Sequence, residues 1–152
     1  MILKLLSEHL QTICTHAERT YPEECCGLLL GQMTEGKTVV EVWQTENAWS
    51  AETADEYPDS EMERSRRRRY AIAPLAMLKA QREARDRHLN IIGIYHSHPD
   101  HPAIPSECDR LAAWQQYSYV IVSVPQGKAG ELRSWVLDDA HQFQSEKIIT
   151  VD

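Results

Sequence analysis

The stretch that most constrains this chain runs from residue 91 to residue 109, IIGIYHSHPDHPAIPSECD. Ile91, Ile92, Ile94 and Tyr95 make an apolar, β-branched and aromatic run around Gly93, which predicts a buried strand. The strand delivers His96-Ser97-His98 and is stopped by Pro99. Side chains two apart on a strand share a face, so both imidazoles point the same way with their Cα atoms roughly 7 Å apart. That spacing lets two nitrogens converge on one metal at about 2.0–2.1 Å. A loop holding Pro99, Pro102 and Pro105 leads to Ser106-Glu107-Cys108-Asp109, which opens an amphipathic segment of helical character. Asp109 brings a carboxylate back toward the histidines.

Two His and one Asp make a three-ligand set, and an open fourth position distinguishes catalytic from structural zinc sites. Zinc in such a set lowers the pKa of a bound water toward ~7 and polarises a neighbouring carbonyl. A hydrolase also needs a general base that is not a ligand. The candidates lie far upstream in Pro22-Glu23-Glu24-Cys25-Cys26-Gly27, where strand alternation lets only one of Glu23 and Glu24 face the metal. Ser106-x-x-Asp109 equally matches a helix N-cap with an acidic third residue. The two readings conflict in part, because a metal-bound carboxylate does not freely turn back to a backbone N–H.

Taken together, these motifs resemble the JAMM (MPN+) zinc metalloprotease family. Its pattern is a distant Glu, then His-Ser/Thr-His-Pro, seven residues counting that Pro, and Ser-x-x-Asp. Here the parts are Glu24, His96-Ser97-His98-Pro99 and Ser106-Glu107-Cys108-Asp109, in register, with Glu24–Leu29 and Gly93–Pro99 also similar in context. The resemblance selects Glu24 over Glu23. It implies one zinc per chain on His96, His98 and Asp109, a water on that zinc as nucleophile with Glu24 as general base, and Ser106 stabilising the oxyanion. The implied fold is the family's α+β fold, similar to that of cytidine deaminases. The implied substrate class is the C-terminus of ubiquitin or a ubiquitin-like protein. The compact chain, with Tyr70-Ala-Ile-Ala-Pro74 and Ala103-Ile-Pro-Ser106, looks most similar to the bacterial branch. That branch processes small sulfur carriers with a Gly-Gly tail and releases cysteine from a C-terminal adduct during cysteine synthesis.

Around this centre the rest of the chain reads in order. Residues 1–20 place Leu3, Leu6, Leu10, Ile13 and Ala17 at helical spacing, with His9 and His16 as ordinary helix residues. Residues 25–31 and 38–45 read as a hairpin across a turn at Gly36. Residues 46–65 are polar and acidic and read as a long loop; Arg66–Arg69 follow, and the whole stretch 46–69 reads as a clamp on a substrate tail. Residues 70–88 form a helix with Pro74 near its first turn, and 106–117 another, with Leu111, Ala112 and Trp114 as core candidates. Residues 90–98, 119–124, 132–137 and 142–151 are strands. The order αββαβαβββ predicts one α+β domain over residues 1–152, a curved mixed sheet flanked by helices.

Charge and cysteines narrow the partners. A net charge of −7 argues against generic nucleic-acid affinity, and the acidic stretch beside Arg66–Arg69 favours self-neutralisation or a groove for a charged tail. No run approaches a membrane span, and the apolar start breaks too soon for a signal peptide. Four cysteines without a Cys-x-x-Cys pair predict reduced thiols in a cytoplasmic protein. Cytidine-deaminase chemistry needs His-x-Glu and Pro-Cys-x-x-Cys; the strand here delivers His96-Ser97-His98 and the chain has no such cysteine pair, which disfavours deamination. The alternatives are a thiol nucleophile at Cys26 or Cys108, a non-enzymatic interaction module, and a general deubiquitinase-like isopeptidase or peptidase. Iron or manganese is compatible with the ligand set, and the oligomeric state is left open.

Overall fold

The apolar run of residues 91–95 lies at the heart of a computed structural model that describes residues 1–50 and 65–152. It belongs to strand β4 (Asn90–Pro99), which is paired on one side with β2 (Cys26–Gln32) and on the other with β5 (Ser118–Val124). Both β2 and β4 are buried along nearly their whole length because each face is covered. Helix α1 (Ser7–Thr20) contributes Ile13 and Ala17 to one core, with Leu29, Ile92 and Tyr95. Helix α2 (Pro74–Asp86) contributes Ala80 and Ala84 to the other, with Leu28, Leu30 and Ile94.

With β1 (Ile2–Leu6), β3 (Lys37–Thr45), β6 (Leu132–Leu137) and β7 (Phe143–Val151), the described strands close into a barrel in the order β1-β3-β2-β4-β5-β6-β7. Strands β3, β6 and β7 continue antiparallel hairpins, as the alternating sequence predicts. The sheet is mixed, since β4 runs parallel to β5 and β1 runs parallel to both β3 and β7.

Three expectations need correction. Residues 1–20 are not one helix: Ile2–Leu6 is strand β1, with Leu3 and Leu5 buried and their neighbours half-buried. Leu3 and Leu6 also satisfy a helical spacing, which hid the period of two. The helix then begins at Ser7, where the His9 imidazole accepts the Leu6 N–H at 3.0 Å. The second helix starts at Pro74 rather than residue 70, so 70–73 form an extended strap. The third, α3 (Glu107–Ala112), is half the expected length. Leu111, Ala112 and Trp114 are exposed, and Ala113 is the residue that packs inward. The expected loop 46–65 lies largely outside the described residues, and no described helix is long and apolar enough to cross a membrane.

One close approach sets the separation of β2 and β4. A Cβ at Gly27 would lie 2.2 Å from the Tyr95 ring. That ring is fully buried, and its hydroxyl is held by His16 Nδ1 at 2.7 Å. Gly27→Ala is expected to destabilise the fold by about 1–3 kcal/mol. A lower urea midpoint at unchanged slope would register the loss; a midpoint equal to the parent's would mean that the ring gives way freely.

Candidate metal centre

Strand alternation fixes the first two donors. His96 and His98 leave β4 on the same face as Ile94, and their Nε2 atoms lie 3.2 Å apart. Ser97, on the opposite face, accepts the Cys25 N–H at 2.8 Å, while its own N–H donates to the Cys25 carbonyl at 3.2 Å. Its role is therefore to pin β4 to the start of β2. The third donor arrives on α3: Asp109 Oδ2 is 3.3 Å from His96 Nε2 and 3.1 Å from His98 Nε2. Among the described residues this is the one group of three or more His, Cys, Asp or Glu donors close enough to share a metal, all within 4.8 Å.

The helix cap and the donor set turn out to be one arrangement. Asp109 Oδ2 accepts the Ser106 N–H at 2.8 Å while still facing both imidazoles, and the Asp109 N–H donates to Ser106 Oγ at 3.0 Å. The conflict expected between capping and coordination does not arise, because one carboxylate oxygen meets both demands. Ser106 Oγ, already an acceptor, keeps its own hydrogen to donate.

The donor chemistry fits a cation. His98 Nδ1 lies 2.8 Å from the Pro102 carbonyl, which can only accept, so Nδ1 carries the proton and Nε2 presents a lone pair. That lone pair faces the Asp109 carboxylate and a second imidazole nitrogen. Burial pushes the His96 imidazole below its usual range, toward the neutral form a ligand needs. Burial alone would raise the Asp109 carboxyl, but the charge and N–H donation of the two imidazoles when they are protonated outweigh it and hold it well below the usual carboxylate range. Two lone pairs and an anion pointed at one spot call for positive charge between them.

Glu23 and Glu24 diverge, although both precede β2, Glu23 in a bend and Glu24 in an irregular segment, so strand alternation is not what separates them. Glu23 lies at the surface and pairs with Arg66 across 3.3 Å. Glu24 is buried and lines a small cavity with His98, Ser106, His101, Arg68 and Arg69. Burial, then the charge of Asp109, pushes its carboxyl well above the ordinary range, with Arg68 and Arg69 pulling the other way. Asp100 is held away from the donors by the Tyr21 hydroxyl at 2.8 Å and the Gln126 N–H at 2.7 Å. The Cys26 thiol is pushed up to about 11 by burial, which disfavours it as a nucleophile near neutrality.

Three features of the site had no role assigned from the sequence. Asn47 uses its whole amide: Nδ2 donates to the Glu24 carbonyl at 3.0 Å and the Arg69 carbonyl at 2.8 Å. Its Oδ1 accepts the Trp49 and Ala71 N–H groups at 3.1 and 3.2 Å. Tyr70, on the strap so held, stacks on His96 with ring centroids 4.4 Å apart. Beyond Tyr70 opens a cleft of about 390 Å³ lined by Trp49, Ile72, Met77, Ile94 and Trp114, with Asp109 at one end.

The chain belongs to a family described as prokaryotic homologs of the JAB domain, whose profile matches residues 6–138. The fold is the family's, a mixed α+β arrangement of sheet and helices. The chain is 30% identical to the desampylase of Haloferax volcanii over 149 residues, 93% of each chain. It is 30% identical over 139 residues to the CysO-cysteine peptidase of Mycobacterium tuberculosis, covering 91% of this chain and 84% of that protein. The desampylase of Pyrococcus furiosus is 32% identical over 80 residues, about half of either chain (53% and 55%). The solution structure of a Desulfitobacterium hafniense protein superposes with a TM-score of 0.79 at 25% identity, covering 99% of this chain and 93% of that one.

Proposed function

We propose that this chain is a zinc-dependent peptidase or isopeptidase that hydrolyses the amide bond at the C-terminus of a small ubiquitin-like carrier protein with a Gly-Gly tail. The observation that carries the reading is convergence: His98 of the His-His-Asp donor group shares one small cavity with the buried Glu24 carboxylate and the capping Ser106. The relatives named as peptidases support the same class of reaction. His96, His98 and Asp109 would hold one zinc. When bound it supplies Lewis acidity to a carbonyl and acidifies water.

The remaining work falls to this chain's own groups. The Glu24 carboxylate accepts a proton from the attacking water and delivers it to the departing amine nitrogen, as base and then acid. The Ser106 hydroxyl donates to the oxyanion as it develops, a contact worth on the order of 3 kcal/mol. The Pro102 carbonyl keeps His98 in the tautomer that a ligand requires. The strap orients the substrate. The Ala71 carbonyl accepts the Ala48 N–H at 2.9 Å, so Tyr70 and Ile72 present their backbone groups to the opposite side, along the apolar cleft. An extended tail of small residues can add there as a strand. Trp114, 64% exposed at the cleft, offers an apolar surface to the carrier's body.

Elemental analysis of the wild-type chain and of the His98→Ala, Asp109→Ala double variant tests the reading. About one zinc per wild-type chain, absent from the folded double variant, is expected. Metal-loaded protein should then cleave carrier fusions in preference to short unrelated peptides. A folded wild type without metal would overturn the hydrolase reading in favour of an interaction module, and equal rates on unrelated peptides would remove the carrier preference.

A further inference from the structure

Four consecutive arginines reach the edge of the site and diverge. Arg66 pairs with Glu23 at the surface, Arg67 is exposed, and Arg69 is 5% exposed with its carbonyl held by Asn47. Arg68 faces inward, where its charge acts on the Glu24 carboxyl. It is half-buried and lines both the small cavity, with Glu24, His98 and Ser106, and the apolar cleft. Among the described residues its guanidinium makes no hydrogen bond or ion pair, though it carries five donors in a planar fork. Its backbone is fixed relative to the site. The Arg68 N–H donates to the Ser65 carbonyl at 3.1 Å, and the Glu24 N–H donates to the Arg66 carbonyl at 2.7 Å, tying the arginine turn to Glu24 itself.

We propose that Arg68 binds the α-carboxylate of the residue leaving the scissile amide. The preferred substrate then carries a single C-terminal residue with a free carboxylate, rather than an amide to a protein lysine. The assignment rests on the peptidase reading above. Its geometry is set by the leaving group. In a one-residue adduct the carboxyl carbon is two bonds from the amide nitrogen, and that nitrogen must approach Glu24 to receive its proton. The carboxylate therefore falls beside Glu24, where Arg68 stands. In an isopeptide four methylenes and no charge occupy that space. The site already holds the Glu24 and Asp109 carboxylates, so an incoming anion is repelled unless a cation receives it. A guanidinium meets a carboxylate with two parallel hydrogen bonds, which fixes orientation as well as charge.

Three synthetic substrates ending in the same Gly-Gly segment separate the possibilities. One is joined to alanine as the free acid, one to alanine amide, and one to the ε-amine of a blocked lysine. Metal-loaded wild-type protein is expected to prefer the free acid about tenfold or more in kcat/KM over both others, mostly through KM. Arg68→Ala should bring the acid-to-amide ratio close to one, and Arg68→Lys should keep part of the preference. Calorimetric binding to metal-loaded Glu24→Gln protein gives a readout without turnover. The acid should bind about tenfold tighter than the amide, and adding Arg68→Ala should erase the difference. Equal wild-type rates on acid and amide, or a ratio that Arg68→Ala does not move, would overturn the proposal. Cleavage of the lysine conjugate alone would do so too while leaving the peptidase reading intact. If none of the three is cleaved, the peptidase reading itself fails and this assignment fails with it.

Discussion

Glu24→Gln protein is expected to retain zinc, lose turnover by roughly a thousandfold, and melt higher than the parent when both are metal-free at neutral pH. The first two effects follow from the proposed role. Glutamine has the same shape but cannot accept or return a proton, and removing a positioned acid–base group lowers rates by about 10²–10⁴. The third follows from burial. The Glu24 carboxyl is pushed well above the ordinary range, by burial first and by Asp109 second, so the native state binds its proton more tightly than the unfolded chain. A group of this sign contributes stability that is present below the unfolded pKa and lost as pH rises through the folded one. Glutamine has no proton to lose. The two proteins should therefore melt together below the ordinary carboxylate range and separate by a few degrees above the raised pKa, with glutamine the more stable. Thermal melts at acid and neutral pH, beside single-turnover assays, check both halves. Parental turnover in the variant would remove Glu24 from the mechanism. A lower melting temperature at neutral pH would mean that its ionised carboxylate is stabilised in the fold.

The donors were legible in the sequence because their placement depends on local periodicity. A strand with His at positions two apart must show both imidazoles on one face, and Ile94, His96 and His98 obey that rule along β4. Glu23 and Glu24 also face apart, but they precede β2 in a bend and an irregular segment, so that rule does not account for their separation. The cap at Ser106 and Asp109 was legible as a cap and as a ligand motif, but that one oxygen atom serves both was not, since this depends on where α3 meets β4.

What local pattern could not supply is pairing between distant segments. Strand β1 was absorbed into the helix after it because nothing nearby distinguishes Leu3 as a strand residue. Its partner β7 lies at the other end of the chain, with Leu3 opposite Ile148. The early end of α3 has a similar cause. The Trp114 N–H leaves the helical ladder to donate to the Tyr119 hydroxyl at 2.8 Å, so Leu111 and Trp114 stay on the outside of a helix too short to turn them inward. The arginine run looked uniform as sequence. Its four side chains differ only because the turn at residues 65–68 is tied to Glu24.

Asn47 was hidden for the same reason, and its replacement carries the second large effect. The amide joins three segments: the stretch before β2 that contains Glu24, the residues just after β3, and the strap that carries Tyr70 against His96. Both donors and both acceptor positions are filled, so no rotation of the side chain replaces a lost partner. Asn47→Ala leaves two carbonyls and two N–H groups to find water in a half-buried place, which should lower stability by about 2–4 kcal/mol. Asn47→Asp is the sharper test because it leaves no cavity. The acceptor side survives, while a carboxylate oxygen replaces the donor that faced the Glu24 and Arg69 carbonyls, so attraction becomes repulsion. Displacing Glu24 by even 1 Å is enough to lower kcat on the order of a hundredfold. Zinc content should be unchanged, because His96, His98 and Asp109 hang from β4 and α3 and not from the strap. Metal analysis, urea melts and kcat measured on the aspartate variant therefore give a signature: full metal, reduced stability, reduced kcat. Parental stability and kcat in Asn47→Asp would show that the strap and Glu24 hold their places without the amide.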